Sequence, residues 1–217
     1  MSKTDQKILF TDTLQVAEKH LSRRDPLMRQ FIKKYGPCGI KPHTRYFETL
    51  VDAIVSQQLS VKAAETIMNR FKALYAPTKF PLAAQIIETP FETLRGVGIS
   101  GQKISYIKDL SVKTENGELN LRRIARLEDA EIIEMLTSVK GIGVWTAHMF
   151  MIFSLGRLNV LPVGDLGIRR AIERAYGCQA IPQAAEIEAI AEKCQWHPYC
   201  SVAAWFLWRS LENTPLS

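Results

Sequence analysis

Leu136-Thr137-Ser138-Val139-Lys140-Gly141-Ile142-Gly143-Val144-Trp145-Thr146-Ala147 is the stretch whose reading decides the fold. Just before it, residues 128–136 read as a helix, because Ile132, Ile133, Met135 and Leu136 form an apolar stripe at helical spacing. Residues 139–143 stop that helix. Two glycines flank one apolar residue, so the backbone can take positive φ without a Cβ clash while Ile142 anchors the turn in a core. Helical periodicity resumes at Val144, which predicts a helix-hairpin-helix unit over residues 128–155. The amides from Gly141 to Trp145 then open a helix and have no helical acceptor, which makes them a ready site for a phosphate. A Gly-x-Gly that only joins two packed helices is the other reading of the same residues.

Working outward, helical segments are predicted at 11–22, 26–35, 45–57, 60–75, 81–88, 90–96, 101–113, 128–138, 144–155, 165–176, 183–195 and 199–212. Strand alternation is scarce. Pro26, Pro77, Pro81, Pro90, Pro162, Pro182 and Pro198 fall at segment edges, where a missing N–H does least harm. The most loop-like stretch is 114–120, read as dividing the compact middle of the chain from its C-terminal part. Gly96-Val97-Gly98 with Lys103 echoes the hairpin and reads as a packing turn.

The 217 residues, 47% of them apolar, can bury a large core as one domain or as two lobes. A net charge of +6 favours a polyanionic partner without proving one. No window approaches a membrane span, and Met-Ser-Lys-Thr-Asp-Gln-Lys at the start carries no secretory apolar run, so an intracellular protein is expected. The four cysteines, Cys38, Cys178, Cys194 and Cys200, are sparse and suit a reducing compartment. Cys194, His197 and Cys200, with Cys178 as a fourth ligand, invite a zinc reading. Packing at the start of an apolar helix explains them as well, and no zinc site is predicted.

The run Val-Lys-Gly-Ile-Gly-Val-Trp-Thr-Ala at 139–147 resembles the hairpin of the helix-hairpin-helix DNA glycosylase superfamily. Three further stretches extend the resemblance to about residues 25–212. Arg157-Leu158-Asn159-Val160-Leu161-Pro162-Val163-Gly164-Asp165-Leu166-Gly167-Ile168 is similar to the segment that ends in the family's catalytic aspartate. Ser56-Gln57-Gln58-Leu59-Ser60-Val61-Lys62-Ala63-Ala64 is similar to its DNA-wedge segment. Trp196-His197-Pro198-Tyr199-Cys200-Ser201-Val202-Ala203-Ala204-Trp205 resembles the alkylpurine branch, the 3-methyladenine DNA glycosylase II type.

The resemblance implies an all-α fold: two helical lobes in one compact unit over 1–217, the active-site cleft between them, and no added N-terminal β domain. It implies Asp165 as the catalytic carboxylate and Trp145 and Trp208 as pocket walls. Gln58 and Leu59 are implied as the wedge, and Lys140, Gly141 and Gly143 as contacts to the DNA backbone. A monovalent cation, Na+ or K+, would be held by the backbone carbonyls of Thr137, Val139 and Ile142. No iron-sulfur cluster is expected, because the three C-terminal cysteines lack the spacing of the family's four-cysteine loop. Asn159 stands where the family commonly has aspartate and Cys200 where it commonly has arginine, which puts local capping and one phosphate contact in doubt.

The chemistry of base excision suits these residues. Breaking an N-glycosidic bond builds positive charge on deoxyribose, and a carboxylate beside C1′ lowers that barrier and can orient the attacking water. Asp165 is the candidate, expected at a helix N-terminus; an ordinary N-cap aspartate is its other reading. Eversion of the nucleotide costs stacking energy that inserted side chains must offset, and Gln58 and Leu59 sit at a helix-to-helix turn fit for that role. The alternative for them is simple packing on Val55 and Val61. Indole faces attract a cationic alkylpurine by stacking and cation–π contact. Trp196 and Trp205 read as core, while core packing competes with the pocket for Trp208.

In strand-cutting branches a lysine occupies the position of Trp145, so hydrolysis without lyase activity is expected. The expected partner is double-stranded DNA carrying alkylated purines, bound by a monomer in the bacterial cytoplasm or the eukaryotic nucleus. Two other functions remain open on the residues alone: a non-catalytic helix-hairpin-helix DNA-binding module, and a glycosylase for oxidised or mismatched bases.

Overall fold

The computed structural model describes residues 3–212, with side chains from 9 to 211. The leader-free reading of the N-terminus rests partly on residues outside that range. Among the described residues there are twelve α-helices and no strand. They are α1 (Lys3–Arg24), α2 (Pro26–Tyr35), α3 (Tyr46–Ser56), α4 (Val61–Ala73), α5 (Ala83–Glu88), α6 (Phe91–Gly96), α7 (Gly101–Glu115), α8 (Asp129–Thr137), α9 (Val144–Phe150), α10 (Leu166–Tyr176), α11 (Ala184–Lys193) and α12 (Cys200–Glu212). No helix among the described residues is long and apolar enough to cross a membrane.

Most starts follow from local chemistry. Asp25 caps α2, its carboxylate accepting the Leu27 amide at 2.8 Å, with Pro26 at the first helical position where its missing N–H costs nothing. Ser60 and Ser100 cap α4 and α7 in the same way, each through its hydroxyl. The first helix begins well before residue 11. Thr13, just after the expected start at residue 11, turns its hydroxyl back to the Leu9 carbonyl at 2.8 Å and so sits comfortably inside a helix.

The chain divides into two compact units. One comprises residues up to Pro42 together with those from Met151 onward, and the other spans His43–Phe150. The expected division at 114–120 is therefore wrong, since that loop lies inside the second unit. Its apolar residues explain why: Leu119 is buried and its amide reaches back to the Lys113 carbonyl at 2.8 Å, folding the loop onto the end of α7.

In the first unit α12 packs on α10, α2 and α1 around Trp196, Phe206, Leu21 and Met28. A buried carboxylate, Asp25, fastens this core. Its second oxygen accepts the Trp196 indole N–H at 2.9 Å and the Tyr176 hydroxyl, so a polar group that would be costly to bury alone is hydrogen-bonded at both oxygens. In the second unit α7 packs against α3, α5 and α6, while α8 lies on α9. Leu50, Ile54, Phe71, Ile104 and Ile107 are wholly buried there, each worth about 1.5–3 kcal/mol of transfer free energy.

Candidate nucleic-acid interface and active site

The hairpin forms where the sequence places it. Residue Ser138 ends α8, Val139 and Ile142 are buried, and α9 begins at Val144. The two glycines do different jobs, contrary to the expectation that both supply positive φ. Gly141 has φ 81° and lies on the Tyr106 ring, where an added Cβ would stand 2.1 Å from Cδ2. Gly143 does not adopt positive φ, and a Cβ there would meet nothing within 4 Å. Its lack of a side chain serves nothing inside the chain.

Gly141→Ala is consequently expected to cost about 1–2 kcal/mol for the left-handed backbone and about 1–3 kcal/mol for displacing Tyr106. Urea unfolding checks this; an unchanged midpoint would show that the turn relaxes freely.

The amide inventory is also narrower than expected. The Ile142 amide is used within the turn, donating to the Val139 carbonyl at 3.1 Å, and the Lys140 amide donates to the Asp109 carboxylate at 2.9 Å. Among the described residues the Gly141 and Gly143 amides meet no backbone acceptor outside helices. The Lys140 ammonium lies 3.9 Å from Asp109 and is largely exposed, so it is loosely held and can reach outward. No backbone amide among the described residues reaches the Thr137 or Ile142 carbonyls, while that of Val139 accepts one. Three such hard oxygens suit a monovalent cation.

The segment expected to supply the wedge occupies the turn between α3 and α4. Gln58 is one of two non-glycine residues with positive φ among those described, at 57°, and Leu59 is 39% exposed, so it does not pack away as an ordinary helix end would. Gln57, Gln58 and Leu59 share an open groove of about 470 Å³ with Ser100, Gln102, Lys103, Tyr106 and Gly141. The structure thus brings this turn and the hairpin turn together in one unit. Trp145, 53% exposed, belongs to that same unit.

Asp165 lies in the other unit, as the N-cap of α10. Its Oδ1 accepts the Ile168 amide at 2.8 Å and the Trp208 indole N–H at 2.9 Å. That second bond sets the Trp208 ring edge against the carboxylate and orients it. Gly167 permits the approach: a Cβ there would lie 3.0 Å from Asp165 Oδ1 and 3.2 Å from the Trp208 ring. Trp196 is wholly buried, as expected, and Trp205 packs against Gly39.

One aromatic was missed. The helix expected over 144–155 ends at Phe150 and widens into a π turn, Met151–Leu155, which presents Phe153 with its ring centroid 5.7 Å from that of Trp208. The run around it is mostly apolar, which hid the change of phase; π turns often mark functional sites.

The two departures, Asn159 and Cys200, turn out to be one cluster. Asn159 Oδ1 lies 3.0 Å and Cys200 Sγ 3.4 Å from the same His197 Nδ1. Burial pushes the Cys200 thiol up to about 12, and burial with the Asp25 carboxylate pushes that of Cys194 up to about 11. Cys200 faces His197, whereas Cys194 faces Asp25 and so stands apart from that pair.

The family described as HhH-GPD superfamily base excision DNA repair protein matches residues 51–195. An alkylbase DNA glycosidase-like protein of Schizosaccharomyces pombe is 35% identical over 197 residues, covering 89% of this chain and 92% of the relative. DNA-3-methyladenine glycosylase 1 of the same yeast is 36% identical over 210 residues, covering 95% and 91%. Among solved structures, the 3-methyladenine DNA glycosylase of Schizosaccharomyces pombe in complex with abasic DNA aligns with a TM-score of 0.77 at 36% identity, covering 90% of this chain and 96% of the other. A DNA-3-methyladenine glycosidase of Bacillus halodurans aligns with a TM-score of 0.81 at 36% identity, covering 91% and 89%.

Proposed function

Because this chain belongs to the HhH-GPD superfamily of base excision DNA repair proteins, we propose that it is a monofunctional DNA glycosylase that excises alkylated purines from duplex DNA. The observation that carries the reading is the Asp165 carboxylate, held by two donors on one oxygen beside the indole of Trp208. A bare DNA-binding module needs the hairpin but has no use for an oriented carboxylate next to an aromatic pair.

The chemistry follows from those residues. A purine methylated at N3 or N7 carries positive charge, and the neighbouring faces of Trp208 and Phe153 are suited to it, each contact worth about 0.5–2 kcal/mol. The bond between C1′ and N9 breaks with its electron pair going to the base, which leaves neutral. Charge that develops on the sugar is met by the Asp165 carboxylate. Water then bonds to C1′ and gives up a proton, to Asp165 or to solvent, and an abasic site remains. A cationic leaving group needs no general acid, so 3-methyladenine and 7-methylguanine are the substrates of choice.

The Gly141 and Gly143 amides with Lys140 hold the backbone of the damaged strand, and Gln58 and Leu59 fill the space the lesion vacates. A Na+ or K+ on the carbonyls of Thr137, Val139 and Ile142 would add a positive charge beside the bound phosphate. With Trp145 at the lysine position, no Schiff base forms. Duplex DNA incubated with the protein should therefore carry alkali-labile sites in unbroken strands. Efficient trapping of a protein–DNA adduct by borohydride would contradict this.

A further inference from the structure

Lys103 and Gln57 take no part in the chemistry, yet they join the two DNA-facing turns of their unit. Helix α3 ends at Ser56, leaving terminal carbonyls without helical partners. The Lys103 ammonium, carried on α7, donates to two carbonyls at that end, Val55 at 2.7 Å and Gln57 at 2.6 Å. These contacts clamp the chain immediately before Gln58, whose left-handed backbone is unfavourable for a residue with a Cβ. The Gln57 side chain then donates to the Gly141 carbonyl at 2.8 Å. Gly141 itself rests on the Tyr106 ring, and the Tyr106 hydroxyl meets Gln102 at 2.6 Å.

We propose that Lys103 and Gln57 are positioning residues that hold the wedge turn in its strained form and tie it to the hairpin, so that gripping the phosphate and driving the wedge become one event. The inference rests on Gln58 and Leu59 being the wedge. Neither residue touches the reacting atoms. Their effect falls on eversion of the nucleotide and spares the chemical step, which makes the two separable: a lesion that is already unpaired needs little help to leave the stack.

The test compares Lys103→Met with wild type on 7-methylguanine in a fully paired duplex and on the same lesion inside an unpaired bubble, by single-turnover excision. Binding is followed through a 2-aminopurine placed beside the lesion, whose fluorescence rises as it unstacks. Loss of eversion should lower excision from the duplex about tenfold or more, with the bubble substrate changed less than about threefold. The 2-aminopurine signal should fall in parallel, while Lys103→Arg, which can still donate to both carbonyls, restores most of both. Gln57→Ala, which cuts only the link to Gly141, should show the same duplex-selective loss, and it decides the matter should Lys103→Met fail to fold. Equal losses on both substrates, or none on either, would overturn the proposal. A wild-type protein that brightens 2-aminopurine but releases no base would instead overturn the assignment as a glycosylase and leave the coupling to be judged by fluorescence.

Discussion

Asp165→Asn is expected to lower single-turnover excision by about 10²–10³ while lesion-DNA binding persists. The substitution keeps the size of the side chain and an oxygen where Oδ1 now accepts the Ile168 amide and the Trp208 indole. Helix α10 therefore retains its cap, and the stability cost should stay within about 1 kcal/mol. What vanishes is the negative charge facing the developing sugar cation. Binding can even tighten, because a carboxylate no longer repels the phosphates on either side. The loss should be smaller for 7-methylguanine, whose glycosidic bond is already weak, than for a neutral lesion. A mutant that binds normally and excises all of these at wild-type rates would reduce Asp165 to an ordinary cap.

Gly143→Asp is the companion on the binding side. A side chain at 143 meets nothing within 4 Å, and the residue does not occupy the left-handed region, so the folded protein should tolerate it. The damage appears only when a phosphate approaches: a carboxylate then stands among the amides meant for that anion. Losing one hydrogen bond to a charged group costs about 1.5–3 kcal/mol, roughly 10–150-fold in affinity. Lesion-bearing and undamaged duplexes should suffer alike, since the contact is to the backbone. Fluorescence anisotropy with both duplexes checks this, and unchanged affinity in a folded mutant would remove the hairpin from the interface. The contrast with Gly141→Ala, which acts on stability through Tyr106, separates the two glycines of one motif.

Local signals made most of the fold legible. Asp25-Pro26, Ser60, Ser100 and Asp165 each announce a helix start through a side-chain oxygen aimed at an unpaired amide, and the structure realises all four. Where several signals conflicted or fell silent, the reading failed. The expected start of the first helix at residue 11 falls eight residues late, and 114–120 looked like a boundary because its polar residues outnumber the buried Leu119. The π turn after Phe150 leaves no clear break in a mostly apolar run, and with it the position of Phe153 beside Trp208 went unread.

Site geometry was less accessible for a different reason. The bond from Trp208 to Asp165 and that from Gln57 to Gly141 join residues 43 and 84 positions apart, and no periodicity links such distant pairs. Asp25 shows the same limit. Its capping role could be read from Asp-Pro, but its pairing with Trp196 and Tyr176 depends on how α2, α10 and the segment before α12 pack.

The most direct measurement is the release of free base from methylated duplex DNA by the purified wild-type protein, with the soluble products separated by chromatography. 3-Methyladenine and 7-methylguanine should appear in the soluble fraction at a rate that grows with protein concentration, while the DNA retains its length and gains abasic sites. Tight binding to the same DNA with no base released, or release of 8-oxoguanine from oxidised DNA in place of the methylated purines, would contradict the account.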